Sequence, residues 1–201
     1  MLKVLNNFLF LLDEKILFPI RRRGLVSCLS GYLKDSKEVL DLGSSDGRLA
    51  NEFLKIYPNI KFLGVDTHVL DKTYIPIMKY DGKNIPYPDN SFDCVMIIDV
   101  LHHDLNPEVI LREAKRVSRK YVLIKDHYWD TKIDFQVLKF ADYIGNAPYG
   151  VVLPYNYLKL SSWENLIKDV ELKIVERKFF KFSKLEPAKH VVFFLEKNAS
   201  N

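Results

Sequence analysis

Apolar residues along the chain occur in short, nearly continuous runs that alternate with segments of helical periodicity. The runs "KEVLDLG", "IKFLGVD", "SFDCVMIIDV" and "KYVLIKD" predict four buried strands, because strands covered on both faces carry apolar residues at consecutive positions. The run "TYIPIMKYD" predicts a weaker strand, and Pro76 within it favours the edge of a sheet. This pattern predicts an α/β fold with a mostly parallel sheet.

Two segments between these strands have the periodicity of amphipathic helices. Residues 46–56 predict a helix with Phe53 and Leu54 facing inward, and Pro58 lies just beyond its end. Asn106 is expected to cap a second helix, with Pro107 at its first position. Strands and helices that alternate in this way indicate a sheet with helices packed against it.

The last third of the chain has a different pattern. The segments "TKIDFQVLKFADYIG" and "SSWENLIKDV" predict helices, and residues 145–157 between them form a loop rich in aromatic residues. The runs "ELKIVERKFFKF" and "KHVVFFLEK" predict an antiparallel hairpin at the far side of the sheet. Without a linker or repeat in the sequence, residues 1–201 are expected to form a single domain.

Residues 1–36 are expected to form a helical cap. Its first part carries an apolar stripe on one helical face, made of Leu5, Phe8, Leu9, Leu12 and Ile16. Charged residues at 13–15 interrupt the apolar run well before the roughly 20 residues that a membrane span needs. We expect this helix to pack on the domain. The alternative is a weak membrane-surface contact, with Arg21, Arg22 and Arg23 on lipid phosphates.

Composition and charge narrow the class of protein. The chain is 48% hydrophobic and 13% aromatic, which suffices for a folded core, and its formal net charge is only +4. So small a basic excess does not predict a nucleic-acid partner. The two cysteines, Cys28 and Cys94, form neither a disulfide framework nor a zinc motif. A reducing, cytoplasmic location is the expectation.

The stretch "VLDLGSSDGRLA" reads as a strand, a tight turn and the start of a helix. Gly43 and Gly47 allow a ligand to approach the backbone closely, and the helix N-terminus offers amides to an anionic group. The dinucleotide pattern G-x-G-x-x-G fails, because Ser45 and Arg48 stand where glycines are needed. No Gly-Lys-Ser/Thr follows, so the turn is not a nucleotide P-loop.

Three motifs in order resemble one known family. "VLDLGSSDGRL" is similar to motif I of the class I S-adenosylmethionine-dependent methyltransferases, with Ser45 where a glycine is often found. "FLGVD" resembles the next motif, and "YDGKNIPYPDNSFDCVMIIDVLHHD" resembles the block after it. The resemblance implies a Rossmann-like, doubly wound sheet of about seven strands. It also implies that S-adenosylmethionine is the cofactor and that residues 38–126 form the cofactor-binding half.

The resemblance also implies roles for individual residues. Asp66 would hold the two ribose hydroxyls, Asp41 would orient the loop or hold the amino group, and Asp81 with Gly82 would receive the adenine. The structural alternatives are a solvated acid at 66, a turn-capping acid at 41 and an ordinary turn at 81–82. The complete predicted cofactor site is Asp41, Gly43, Ser45, Gly47, Asp66, Asp81, Gly82 and Asp99.

Methyl transfer from a sulfonium is an in-line displacement, and it needs a base only when the acceptor is protonated. His102 and His127 follow the fourth and fifth strands, so either is a candidate general base. The alternative for each is a histidine packed against the cofactor or capping a loop. The acids and histidines at these strand ends lack a tight ligand spacing, so we expect no metal.

The predicted acceptor site lies at the same strand ends and in the loop 145–157, which we interpret as a lid. Its residues are His103, Tyr128, Asn146, Tyr149, Tyr155 and Asn156. The alternative for the loop is packing under a helix. This prediction, like that of the catalytic histidines, rests on position in the expected fold.

Some acceptors are disfavoured. The Asn/Asp-Pro-Pro-aromatic motif of enzymes that methylate nucleic-acid amino groups is replaced by Asp99-Val100-Leu101-His102, and neither cysteine is placed to attack cytosine. That leaves a small molecule, a lipid-like molecule or a protein side chain. The apolar N-terminal helix and the aromatic loop favour a small, partly apolar acceptor, methylated on O, N or C. One alternative is a non-catalytic subunit with the same fold. A nucleotide-dependent oxidoreductase is a second, and Arg48 argues against it.

Overall fold

The computed structural model describes residues 18–146, 153–183 and 186–198, which contain one eight-stranded sheet flanked by helices. In chain order the elements are α1 (Phe18–Leu33), β1 (Glu38–Leu42), α2 (Arg48–Ile56), β2 (Lys61–Asp66), β3 (Ile77–Lys79), β4 (Phe92–Ile98), a 3₁₀ turn (Leu101–His103), α3 (Pro107–Val117), β5 (Ser118–Trp129), α4 (Lys132–Asn146), β6 (Leu158–Lys159), α5 (Leu160–Asp169), β7 (Leu172–Phe180) and β8 (His190–Lys197).

The strand order is β3-β2-β1-β4-β5-β8-β7, with the short β6 paired to β5. Strands β1 to β6 pair in parallel, whereas β8 is antiparallel to both β5 and β7. The doubly wound sheet and the C-terminal hairpin are confirmed, and β3 lies at the sheet edge as Pro76 indicated. The sequence did not predict β6, which is only two residues long.

The central strands of the sheet are covered on both faces, as their continuous apolar runs predicted. Along β4, Cys94 and Met96 join a core that includes Leu29 of α1 and Phe53 of α2. Val95 and Ile97 join the opposite core, which contains Leu111 and Ala114 of α3 and Trp163 of α5. Alternate side chains of one strand thus anchor different helix layers. The arrangement leaves the carboxyl ends of the parallel strands free to carry a site.

The predicted start of α3 is confirmed, but its predicted side-chain cap is not. The start of α3 is confirmed at Pro107, but Asn106 makes no side-chain capping hydrogen bond. Instead the Asn106 backbone N–H donates to the carboxylate of Asp104 at 2.6 Å, so the acid two residues earlier fixes the turn.

The described part of the N-terminal cap packs on the domain. Leu25, Leu29 and Leu33 of α1 are buried in the core beside α2. The apolar stripe from Leu5 to Ile16 lies outside the described residues. Among those that are described, no helix combines the length and apolar character required to cross a membrane.

Gly47 is the N-cap residue just before α2, and its backbone lies in the left-handed region with φ 78°. We expect Gly47→Ala to lower the free energy of unfolding by about 1–3 kcal/mol. An added Cβ would lie 2.5 Å from Cγ1 of Ile75, so steric overlap adds to the backbone strain. Urea denaturation followed by circular dichroism measures the change.

Gly31 supplies the matched control for this prediction. It lies within α1, and a Cβ there would meet no atom within 4 Å. Gly31→Ala should therefore leave stability unchanged or raise it by up to about 1 kcal/mol, because alanine favours helix more than glycine does. Equal midpoints for the Gly47 variant and the unmodified protein would contradict the steric argument.

Candidate active site

The turn after β1 has the backbone geometry that its glycines predicted. Gly43 has φ 75°, its N–H donates to the carbonyl oxygen of Val65 at 2.8 Å, and an added Cβ would overlap the side chain of Val100. The backbone therefore packs closely against Val100, and only glycine fits at this position. A ligand above the turn meets backbone rather than side chains.

Asp66 ties the end of β2 to this turn. One carboxylate oxygen accepts the N–H of Ser45 at 2.8 Å, and the other accepts the N–H of His68 at 2.9 Å. Ser45 itself has φ 52°, which its small side chain tolerates. The carboxylate is only partly buried, so each oxygen keeps a lone pair for a further donor. A ribose role for Asp66 is compatible with these contacts and stays a prediction.

Asp41 is buried beneath the turn. Burial, and then the neighbouring carboxylates of Asp66 and Asp46, together raise the pKa of its carboxyl group to about 7. A cationic ligand would relieve the repulsion among these three acids. The amino group and sulfonium of S-adenosylmethionine are cationic, so this part of the site fits that cofactor.

Asp81 and Gly82 occupy an exposed turn. The Asp81 carboxylate accepts hydrogen bonds from the N–H of Lys83 and from both the backbone and side chain of Asn84. The bonds from Asn84, followed by that from Lys83, lower the pKa of Asp81 to about 2. Neither residue lines the central cavity, and the hydrogen bonds match the ordinary-turn alternative. An adenine role for Asp81 stays a prediction.

A cavity of about 330 Å³ opens at the carboxyl ends of β1, β4 and β5. At one end it is lined by Asp41 and the turn from Gly43 to Asp46, and at the other by a group of histidines. This second end includes His102, His103, Lys125, His127, Asp142 and His190. The structure thus brings the predicted cofactor loop and both candidate bases to one space.

His102 forms a buried pair with Asp126. Its ring atom Nδ1 lies 2.6 Å from Oδ1 of Asp126, which also accepts the N–H of His127 at 2.6 Å. The ring of Tyr157 stacks on His102 with centroids 5.1 Å apart, and Asn156 donates its N–H to the His102 carbonyl at 3.2 Å. These contacts fix the imidazole, leaving Nε2 as the atom that can exchange a proton.

The two candidate bases differ in basicity. Burial lowers the pKa of His102, but the carboxylates of Asp126 and Asp99 outweigh it, so the pKa lies above its ordinary value. For His127, burial and the nearby ammonium of Lys125 both lower the pKa, which lies well below its ordinary value. His102 is therefore the stronger base of the two.

Asp99 ends β4 in a left-handed conformation, with φ 57°, and pairs with Lys125 at 2.5 Å. Burial disfavours ionisation of Asp99, but Lys125 and then His127 outweigh it and hold the pKa below its usual range. Lys125 is buried, with its ammonium 5.6 Å from the ring centre of Phe182. Asp99 lines the cavity as predicted, and its charge is balanced by a lysine that the sequence analysis did not select.

Three further residues that line the cavity were not predicted from the sequence: Asp142, Glu186 and His190. Asp142 of α4 is buried, and its Oδ2 accepts the O–H of Tyr157 at 2.6 Å. Glu186 lies 2.9 Å from Nε2 of His190, which stands opposite His127 in the sheet. Asp142 shares one face of α4 with Leu138 and Ala141. That spacing was the available signal in the sequence.

The predicted acceptor residues are only partly brought together. His103 lines the cavity, whereas Tyr128 packs against Phe179, with ring centroids 5.2 Å apart, and lies outside it. Tyr155 contacts Tyr157, and Asn156 holds the turn around His102 by also donating to the carbonyl of Asp104. Tyr149 lies outside the described residues, as do the other residues of 147–152 in the proposed lid, and the side chain of Asn146 is not among those described.

The histidines also raise the question of a metal. Potential ligand atoms of His102, His103 and Asp142 lie within 4.8 Å of one another. However, Nε2 of His102 is 3.9 Å from Asp142, longer than the roughly 3.3 Å between ligand atoms of a tetrahedral zinc site. We assign no metal to this cluster.

Comparison with known proteins identifies the domain. Residues 40–123 match a family model described as a methyltransferase domain. An uncharacterised methyltransferase of Schizosaccharomyces pombe is 30% identical over 115 residues, which are 47% of this chain and 41% of the relative. The tRNA (carboxymethyluridine(34)-5-O)-methyltransferase of the same organism is 30% identical over 87 residues, 41% and 36% of the two chains. The chain thus spans about two fifths of these relatives' lengths.

Solved structures agree on the fold. The Burkholderia thailandensis 1,6-didemethyltoxoflavin-N1-methyltransferase, with that compound and S-adenosylhomocysteine bound, matches with a TM-score of 0.66 at 14% identity. The match covers 89% of this chain and 78% of that one. The match of residues 40–123 to the methyltransferase domain model, the intact loop and this shared fold together support a class I S-adenosylmethionine-dependent methyltransferase with S-adenosylmethionine as cofactor.

Proposed function

We propose that the protein transfers the methyl group of S-adenosylmethionine to a small, partly apolar acceptor bound beside His102. The observation that carries this proposal is the single cavity that joins the turn from Gly43 to Asp46 with His102. A methyl donor held at one end and an acceptor at the other would meet within one cavity, which brings the two reacting atoms close together as in-line transfer requires.

The cofactor would be held by residues of the first half of the sheet. We assign the ribose hydroxyls to Asp66 and the cationic amino-acid end to Asp41, with Gly43, Ser45 and Gly47 shaping the turn beneath them. The cofactor supplies an electrophilic methyl group on a sulfonium. The protein's own task is to orient the acceptor and to remove its proton.

His102 is the residue we assign to that proton. Its Nδ1 is engaged by Asp126, so neutral His102 presents the Nε2 lone pair, and the carboxylate stabilises the imidazolium that forms. His127 is the weaker candidate because Lys125 lowers its basicity. The intact turn and the His102–Asp126 pair also support catalysis over a purely structural role for the domain.

The size and lining of the cavity support a small acceptor. The cavity of about 330 Å³ is shared with the cofactor, so the space left beside the histidines fits a small acceptor, and Leu138, Ala141 and Phe182 supply apolar surface there. One relative is named as a tRNA methyltransferase. A folded RNA would have to extrude a nucleotide into this cavity, so a small molecule is the simpler acceptor.

Calorimetric titration with S-adenosylmethionine and S-adenosylhomocysteine tests the cofactor. We expect one site per chain with micromolar affinity for each, and no binding of NAD. Incubation with methyl-labelled cofactor and separate pools of small molecules and tRNA then tests the acceptor. Label in the tRNA pool alone would contradict a small-molecule acceptor, and failure to bind either cofactor form would contradict the enzymatic function.

A further inference from the structure

Helix α4 carries an apolar stripe along one side. Four of its residues recur at steps of four, three and four positions and therefore lie in line on the helix surface. They are Ile133, Val137, Phe140 and Ile144. Ile133 is 76% exposed and Phe140 is 67% exposed. Single exposed apolar side chains are ordinary on a protein surface, but a contiguous stripe of this length marks a surface that another apolar element covers.

The stripe lies at the mouth of the central cavity. Ile133, Val137 and Phe140 line an open groove that is completed by Pro187. Ala141 lines both this groove and the cavity, and it is itself exposed. The groove therefore adjoins the candidate active site.

The start of α1 belongs to the same mouth. Arg21 and Arg22 lie in the first two turns of α1 and line the cavity together with Ala141 of α4. The chain that leads into α1 therefore arrives close to the groove. Ile16 stands only two positions before Phe18, where α1 begins. A tether this short gives the preceding segment a high local concentration at the groove.

The segment before α1 has an apolar stripe of the same length. Its members share one helical face and are Leu5, Phe8, Leu9, Leu12 and Ile16. They run from position 5 to 16, and the stripe on α4 runs from 133 to 144, so each spans eleven residue steps, or about 16 Å of helix. Two helices with apolar stripes of equal length can bury both by packing against each other.

We propose that the apolar stripe of residues 5–16 packs as a helix against the stripe on α4 and covers the mouth of the cavity beside Ala141. The occupant of the groove is thus a segment of the same chain. This inference does not depend on methyl transfer, because it concerns only which apolar surfaces meet. A segment in this position would also shield a ligand in the cavity from water.

Cysteine cross-linking in the full chain tests this packing. All variants carry Cys28→Ser, because Cys28 is partly exposed whereas Cys94 is buried. The test pair, Leu9→Cys with Phe140→Cys, places one thiol on each stripe. The control pair joins Leu9→Cys to Val109→Cys, an exposed position on α3, which packs against the opposite face of the sheet from α1. Under mild oxidation the test pair should form an intramolecular disulfide at least about tenfold faster than the control pair.

Two further pairs replace Leu9→Cys by Leu5→Cys or Leu12→Cys, so the result does not depend on which turn of the segment meets Phe140. Circular dichroism checks that each variant is folded. If none of the three pairs reacted faster than its control at Val109, the inference would be overturned. A disulfide between two chains, seen as a dimer on a non-reducing gel, would assign the stripe to a second copy and would also overturn it.

Sedimentation with phosphatidylglycerol vesicles separates the segment from a lipid surface as the cover of α4. The full chain should stay in the supernatant, because both stripes are already buried against each other. Binding to the vesicles that is abolished by Phe140→Asp, but kept by Val109→Asp, would identify lipid as the cover and would overturn the inference.

Discussion

Replacement of Asp126 by asparagine should slow methyl transfer by about a hundredfold or more, while the affinity for S-adenosylhomocysteine stays the same. The substitution removes the charge 2.6 Å from Nδ1 of His102 and leaves a side chain of nearly equal size. An amide can donate to Nδ1 and so favour the wrong tautomer, in which Nε2 carries the proton and cannot accept another. Single-turnover rates with methyl-labelled cofactor and a saturating acceptor measure the effect.

The same variant should change the pH dependence in a defined direction. Transfer requires neutral His102, so the rate of the unmodified protein falls as the pH drops through the pKa of that residue. Because this pKa is raised, the fall should begin above the ordinary value of about 6.5. Without the Asp126 charge, burial dominates and lowers the pKa, so the acid limb should move to lower pH.

Controls for this prediction are a normal circular dichroism spectrum and unchanged binding of S-adenosylhomocysteine. Asp169→Asn, which changes an exposed acid on α5, serves as the conservative surface change and should leave the rate unaltered. If Asp126→Asn transferred methyl groups at the normal rate with an unchanged pH profile, the assignment of His102 as the base would be wrong.

Asp66→Ala should abolish binding of S-adenosylhomocysteine, seen as loss of the ligand-induced rise in melting temperature. The substitution removes the proposed partner of the ribose hydroxyls. It also removes the acceptor for the N–H groups of Ser45 and His68, so the turn after β1 loses its link to β2. Charge-assisted hydrogen bonds of this kind are worth more than neutral ones, and we expect at least a hundredfold loss of affinity.

Asp66→Asn separates the two contributions, because the amide oxygen can still accept one backbone N–H while the charge is lost. We expect this variant to fold normally and to bind weakly. The melting temperature of each ligand-free variant shows whether the domain remains intact. An Asp66→Ala variant that binds S-adenosylhomocysteine with normal affinity would refute the assignment of the ribose to this acid.

The parts of the fold that could be predicted are those fixed by local patterns. Buried parallel strands require apolar residues at successive positions, so β1, β2 and β4 were found to within two residues at each end. β5 was found too, but it extends two residues before and three residues beyond its predicted run. The turn at Gly43 was predictable for the same kind of reason, since its positive φ excludes most side chains. Asp66 followed because the ends of neighbouring parallel strands lie together.

The acceptor side of the cavity could be predicted only in part, because its residues converge through tertiary packing. His102 and His127 were found from their position after strands, but Asp142 lies in the middle of a helix, where an acid usually faces solvent. Lys125 appeared to be one more residue of a buried strand. Asn156 was placed in a substrate lid, yet its amide holds the 3₁₀ turn that carries His102.

The position of β8 between β5 and β7 also sets the order in which a nascent chain can fold. β8 pairs with β5 from Tyr121 to His127, where His190 lies opposite His127. Because β8 follows β7 in the chain, this edge of β5 stays unpaired until both strands have been translated. Pairing over such a separation is slow compared with closure of the earlier βαβ units. The cofactor half can therefore assemble first, and the end of β5 that bears Lys125 and Asp126 keeps an unpaired, aggregation-prone edge until β8 is inserted.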